Sequence, residues 1–279
     1  MCDVRGKLDK AKEEQIESLL PDLTGLANRV LSLSPVSVSL AFMPEGSIPV
    51  AVPCLHDALH VTFEARYGLG EAIRHLEWYR KASPTGPNER AAQFFGRFYA
   101  TAAASCLYAA AEDLANAIIE MYELDRQRID PENAKQISLQ SKVGKYLSKN
   151  MASDSVSNAV CSLAQSDSWN KTVKWRNNWV HDQSPIKGFG ITYKREKRWK
   201  PFVSASGAEG YEFSWGGGDQ VEASIDDVLE FVRLAFSLFV STFEKVLSRY
   251  FDILSKAGIT FDEDGRLSIP LFRWRAERQ

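Results

Sequence analysis

From about residue 89 to residue 124 the chain carries no proline and a single glycine, Gly96. That absence of helix breakers predicts one long helix. Its middle, Phe98-Tyr99-Ala100-Thr101-Ala102-Ala103-Ala104-Ser105-Cys106, is rich in small side chains. Small side chains let a neighbouring helix approach closely, so the run reads as the central helix of a bundle.

The rest of the chain is read against that helix. Residues 6 to 34 predict one or two short helices, divided near Pro21-Asp22. Pro35, Pro44, Pro49 and Pro53 punctuate the next stretch and predict an extended segment over 35 to 55. Helical periodicity resumes at about 57, runs to Lys81, and stops at Ser83-Pro84-Thr85-Gly86-Pro87-Asn88. Asp130-Pro131-Glu132 has the form of a helix start, with Asp as cap and Pro in the first turn, and predicts a helix reaching Lys149. Ser153 to Gln165 and Asp167 to about Asp182 read as two more helical pieces.

Residues 187 to 220 change character. Glycines break short aromatic and β-branched runs there, which predicts a small sheet or hairpin. Ser224-x-x-Asp227 is a capping box and opens an apolar helix to about Leu254. Ile259 to Ile269, with Asp264-Gly265 between its halves, predicts a terminal hairpin. The expected fold is mainly α, in three parts. Residues 1–88 form an N-terminal helical extension packing on the core. Residues 89–256 form a helical bundle with a β insertion at about 187–220. Residues 257–279 form a C-terminal hairpin and tail.

Composition excludes some functions. The formal net charge is -2, so bulk charge gives no argument for nucleic-acid binding, and any basic surface must be local. Four widely spaced cysteines and four histidines form no metal-type cluster, so neither a metal nor a cofactor is expected. The charged start, MCDVRGKLDKAKEEQ, has no apolar signal core, and Glu230 and Arg233 interrupt the most apolar helix. The chain is therefore expected in the cytoplasm with no membrane partner.

One stretch suggests chemistry. Arg176-Asn177-Asn178-Trp179-Val180-His181 places an arginine, an amide and a histidine within little more than one helical turn. Arginine offers a fixed charge to a phosphate, and histidine exchanges a proton near neutral pH. At about 100° per residue, Asn177 and His181 share a face, while Arg176 lies about 140° from His181. Pro185 disfavours helix at Ser184 and places a helix end nearby. A bland alternative has His181 complementing a helix C-terminus and Arg176 as a solvated charge.

Arg176, Asn177 and His181, on a helix followed by a long apolar helix, resemble the hallmark of the HEPN superfamily (higher eukaryotes and prokaryotes nucleotide-binding domain). The resemblance spans about residues 90 to 255. It implies an α-helical bundle that forms a homodimer and brings two motifs to one cleft. It also implies either a metal-independent endoribonuclease of toxin, defence or RNA-processing systems, or a catalytically silent module that binds a nucleotide or a partner protein such as an antitoxin. In the catalytic case His181 acts as general acid–base, Arg176 stabilises the phosphate, and Asn177 orients one of them.

Lys194, Arg195, Lys197, Arg198 and Lys200, interleaved with Tyr193 and Trp199, form the densest basic patch. They are candidate RNA contacts, or else a charged, solvated hairpin edge. Trp169, Trp175 and Trp179 are expected in the core rather than as a base-stacking platform. Glu112 and Asp113, in the middle of the long helix, are candidates to orient His181 or pair with Arg176, or are simply surface-facing. His56, His60 and His75 are expected to be structural.

Overall fold

A computed structural model describes residues 6–33, 38, 46–135, 137–178, 200–203, 209–212, 223–261 and 267–268. The chain is mainly helical. In order come α1 (Lys10–Leu19), α2 (Thr24–Leu31), α3 (Ala51–Glu77), α4 (Glu89–Met121), α5 (Arg126–Ile129), α6 (Gly144–Asn150), α7 (Ser155–Gln165), α8 (Asp167–Asn177) and α9 (Ile225–Lys256).

The breaker-free run is α4, and the sequence explains both its ends. Asn88 accepts the backbone N–H of Ala91 at 3.1 Å and caps it. Tyr122 and Glu123 end it, Glu123 with a φ of 52°. The small residues do what their size allows. Gly68 of α3 lies so close to Ala103 that a β-carbon there would sit 3.1 Å from the Ala103 backbone nitrogen. Further along, Gly96 meets Leu76, so α3 and α4 run antiparallel with their backbones close together. Ala100, Ala103, Ala104, Ala110 and Ala111 of α4 are all buried.

The core gathers around α4 and α9. Leu107, Leu114 and Ile118 of α4 and Phe236, Phe239, Phe243 and Tyr250 of α9 are almost fully enclosed. Each such side chain contributes about 1.5–3 kcal/mol by leaving water. Tyr250 satisfies its hydroxyl by donating to the Ile48 carbonyl at 2.9 Å. The capping box of α9 is present: Ser224 accepts from the Asp227 backbone, and Asp227 accepts from the Ser224 backbone.

Two expectations need correction. The segment over 35 to 55 is not extended throughout. A 3₁₀ turn at Ile48–Val50 leads into α3 at Ala51, earlier than the periodicity suggests. Pro53 falls in the first turn of α3, where no backbone N–H has an intrahelical partner to lose. No helix starts at Asp130. Its carboxylate instead accepts the Asn133 backbone N–H at 3.3 Å and pairs with Lys142 at 3.1 Å. This side-chain bonding holds a turn in place of a helix, and helical structure resumes only at the π turn Leu139–Val143 before α6.

Within 187–220 the described residues hold one antiparallel ladder, β1 (Lys200–Val203) with β2 (Glu209–Glu212), in which Lys200 pairs with Glu212. A second ladder joins β3 (Thr260–Phe261) to β4 (Leu267–Ser268). No helix among the described residues is long and apolar enough to cross a membrane.

Candidate functional site

The helix that carries the arginine of the motif is built from its capping residue onward. Ser166 accepts the backbone N–H of Trp169 at 3.2 Å and starts α8. One side of α8 is then fastened to two neighbours. Trp169 is buried, stacks on Phe239 with centroids 6.2 Å apart, and donates its indole N–H to Gln140. The Thr172 hydroxyl donates to the Ser168 carbonyl at 2.8 Å. Trp175 is also buried, and its indole N–H donates to the Thr101 hydroxyl of α4 at 3.2 Å. Trp169 and Trp175 therefore belong to the core, as expected, and neither is free to stack on a base.

Arg176 follows Trp175 directly and is half-buried. Its guanidinium carbon lies 4.6 Å from the centroid of the Tyr108 ring, on α4 two turns beyond Thr101. One terminal nitrogen, Nη1, donates to the Asn177 side-chain oxygen at 3.0 Å. Nε is buried and has no hydrogen-bond partner among the described residues. No carboxylate forms an ion pair with this arginine among the described residues. Glu112, one turn beyond Tyr108, acts on the phenol. Burial raises the Tyr108 hydroxyl pKa, the Glu112 charge raises it further, and Arg176 opposes both.

Next along α4, Asp113 is pushed up to about 6, first by burial and then by the negative charges of Asp57 and Glu112. Burial, together with Glu120, Asp113 and Asp57, pushes the Cys54 thiol up to about 11, so it is not an activated nucleophile.

Asn177 is exposed at the last position of α8. His181 lies outside the described residues, as do Trp179, Lys194, Arg195, Lys197 and Arg198. Lys200 opens β1, of which the backbone alone is described. The structure thus brings Arg176 and Asn177 together and adds Tyr108, which the sequence reading did not single out. The signal for Tyr108 is its spacing. Thr101 and Tyr108 are seven residues apart and so fall on one helical stripe, the one on which α8 packs.

Of the described histidines, His56 and His75 are held within the fold, while His60 is exposed. His56 bonds the Leu33 carbonyl at 3.0 Å through Nε2. His60 sits 3.4 Å from Glu64. His75 is buried, with ring centroids 4.9 Å from Phe95 and 5.0 Å from Tyr99. No group of three or more His, Cys, Asp or Glu side chains among the described residues has the arrangement of a metal site.

No protein-family profile, curated protein or solved structure matches the chain significantly.

Proposed function

We propose that this chain is a HEPN-like homodimer that cleaves RNA without a metal, in the cytoplasm, in a toxin, defence or RNA-processing setting. The observation that carries the reading is the state of Arg176. Its guanidinium lies over the Tyr108 ring, a partner that holds it without neutralising it, and no carboxylate among the described residues forms an ion pair with it. An arginine held in this way is prepared for an anion brought from outside, and a phosphodiester matches its planar fork.

In the proposed reaction His181 takes the proton of a ribose 2′-hydroxyl. The 2′-oxygen attacks phosphorus, and the P–O5′ bond breaks. The departing 5′-oxygen gains a proton from a histidine acting as acid. Arg176 stabilises the negative charge that grows on the phosphoryl oxygens, and Asn177, already bonded to Arg176, sets its orientation. The products are a 2′,3′-cyclic phosphate and a 5′-hydroxyl. Lys194, Arg195, Lys197, Arg198 and Lys200 are proposed to hold the RNA strand.

The dimer part of the reading has its own support. Phe94 and Phe98 of α4 are 64% and 53% exposed. Four residues apart on one helix, they offer an exposed aromatic patch for an isologous contact. Light scattering is expected to give a dimer mass for the wild type and a monomer mass for Phe94→Asp/Phe98→Asp. A wild-type monomer at micromolar concentration contradicts the dimer.

The competing reading is a silent nucleotide- or protein-binding module, in which Arg176 and His181 are anchors only. The bond from Arg176 to Asn177 suits that role too. Incubation with a mixed RNA pool and chelator separates the two. Cleavage leaving cyclic-phosphate ends supports the enzyme, and saturable binding of nucleotide without cleavage supports the module.

A further inference from the structure

The guanidinium of Arg176 is held from several directions, and what is left open says how an anion can reach it. Its central carbon lies over the Tyr108 ring, 4.6 Å from the centroid. The Nε edge is buried and has no hydrogen-bond partner among the described residues. Nη1 donates one hydrogen to the Asn177 side-chain oxygen at 3.0 Å. A guanidinium spreads its N–H donors over a planar fork, one on Nε and two on each terminal nitrogen. Among the described residues, the second hydrogen of Nη1 and both hydrogens of Nη2 are therefore still uncommitted. An anion can meet this fork end-on, across Nη1 and Nη2. The side-on approach, across Nε and Nη2, is closed by the burial of Nε.

The position of the helix and the position of the side chain have separate causes. Trp169, stacked on Phe239, and Trp175, whose indole N–H donates to Thr101 at 3.2 Å, fasten α8 to its neighbours. Neither contact involves Tyr108. The tip of Arg176 depends instead on Tyr108 and Asn177. Asn177 is exposed at the last position of α8, where water competes for its amide. Tyr108 is half-buried in the middle of α4, the central helix, and so offers the firmer support. Without the ring, a long side chain would have to surrender its rotamer freedom when a phosphate arrives.

We propose that Tyr108 is a positioning residue for RNA cleavage, whose ring holds the Arg176 guanidinium so that Nη1 and Nη2 meet the scissile phosphate end-on. The role rests on the cleavage reading above and adds to it a residue and a direction of approach. The contact is with the ring, so the ring carries the role and the hydroxyl does not. Phenylalanine keeps an aromatic face for a cation, whereas leucine and methionine do not. A donor set in place beforehand needs no reorganisation as charge grows on the phosphoryl oxygens. Loss of the ring should therefore lower kcat more than it raises KM.

The test compares full-length wild type, Tyr108→Phe, Tyr108→Leu and Tyr108→Met, each shown to be folded by circular dichroism. The first readout needs no cleavage. The Nε proton of Arg176, identified in proton–nitrogen spectra by its loss in Arg176→Ala, should be protected from exchange with water. That protection should survive in Tyr108→Phe and be lost in Tyr108→Leu and Tyr108→Met. The second readout is steady-state cleavage of a quenched fluorescent oligoribonucleotide in chelator. Tyr108→Phe should stay close to wild type. The two ring-free variants should lose about ten- to a hundredfold in kcat, the scale of a misplaced catalytic group, with KM little changed. A folded Tyr108→Leu or Tyr108→Met protein with the wild-type kcat overturns the role of Tyr108 and leaves the cleavage reading standing. So does a Tyr108→Phe loss as large as theirs, which would place the role in the hydroxyl. Wild type that cleaves no RNA removes the cleavage reading itself, and the role of Tyr108 falls with it.

Discussion

Arg74 and Arg176 are both arginines at helix seams, and they end in opposite electrostatic states. Arg74 of α3 faces α1, and carboxylates meet its prongs. Nε donates to Glu13 at 2.7 Å, Nη2 to Glu17, and Nη1 to Glu71 at 3.4 Å. Nearby, Arg66 also donates to Glu17, at 2.7 Å. Arg176 of α8 faces α4 and meets a phenol ring and a neutral amide. The first seam neutralises its arginine and so fastens α1 to the bundle. The second holds its arginine in place, with no carboxylate among the described residues paired to it. Burial alone does not separate these roles, whereas the partner's charge does.

Mutations sharpen the contrast. The largest stability effect belongs to the residue that anchors α8 itself. Trp169→Ala removes a buried stack and should cost about 3–5 kcal/mol, read as a lowered urea midpoint. Arg74→Ala should cost about 1–2 kcal/mol, since its carboxylate partners are partly exposed and solvent screens them. If Arg74→Ala is neutral, the α1 seam is not held by these pairs.

Asp113 gives a smaller effect of opposite sign. Its pKa in the folded chain is raised from 3.8 to about 6. Between those values the native state holds the proton more tightly than the unfolded chain, so stability falls as pH rises through that window and is level above it. Asp113→Asn removes the cost of the charge. It should therefore stabilise by about 1 kcal/mol or less at pH 7.5, after screening, and by less at pH 5. Equal gains at both pH values would refute the assignment.

Arg176→Ala should have the smallest effect on stability. Losing the contact with Tyr108 costs about 0.5–1 kcal/mol, but the unpaired Nε leaves with it, so the net change is near zero. A loss as large as that for Arg74→Ala would make Arg176 a structural residue.

The helices were legible where one local rule governs them. The breaker-free α4, the capping box at Ser224 and the split at Pro21-Asp22 follow from propensity and caps alone. Pro53 and Asp130 misled because one residue type serves two purposes. Proline ends helices but also fits their first turn, and aspartate caps helices but also stabilises turns. The arginine of the candidate site was legible as a residue type on a helix. Its partner Tyr108 was not, because the contact depends on how α8 lies across α4, and no pattern near Arg176 encodes that.

The claim that Arg176 keeps its charge for a phosphodiester is tested most directly by cleavage of a mixed RNA pool in chelator. Wild type, Arg176→Ala, His181→Ala and Arg74→Ala are compared at a temperature where circular dichroism shows all four folded. The account predicts cyclic-phosphate products from wild type and Arg74→Ala, with losses of about two to four orders of magnitude in Arg176→Ala and His181→Ala. Folded Arg176→Ala or His181→Ala protein that cleaves at the wild-type rate, or wild type that cleaves no RNA, would contradict it.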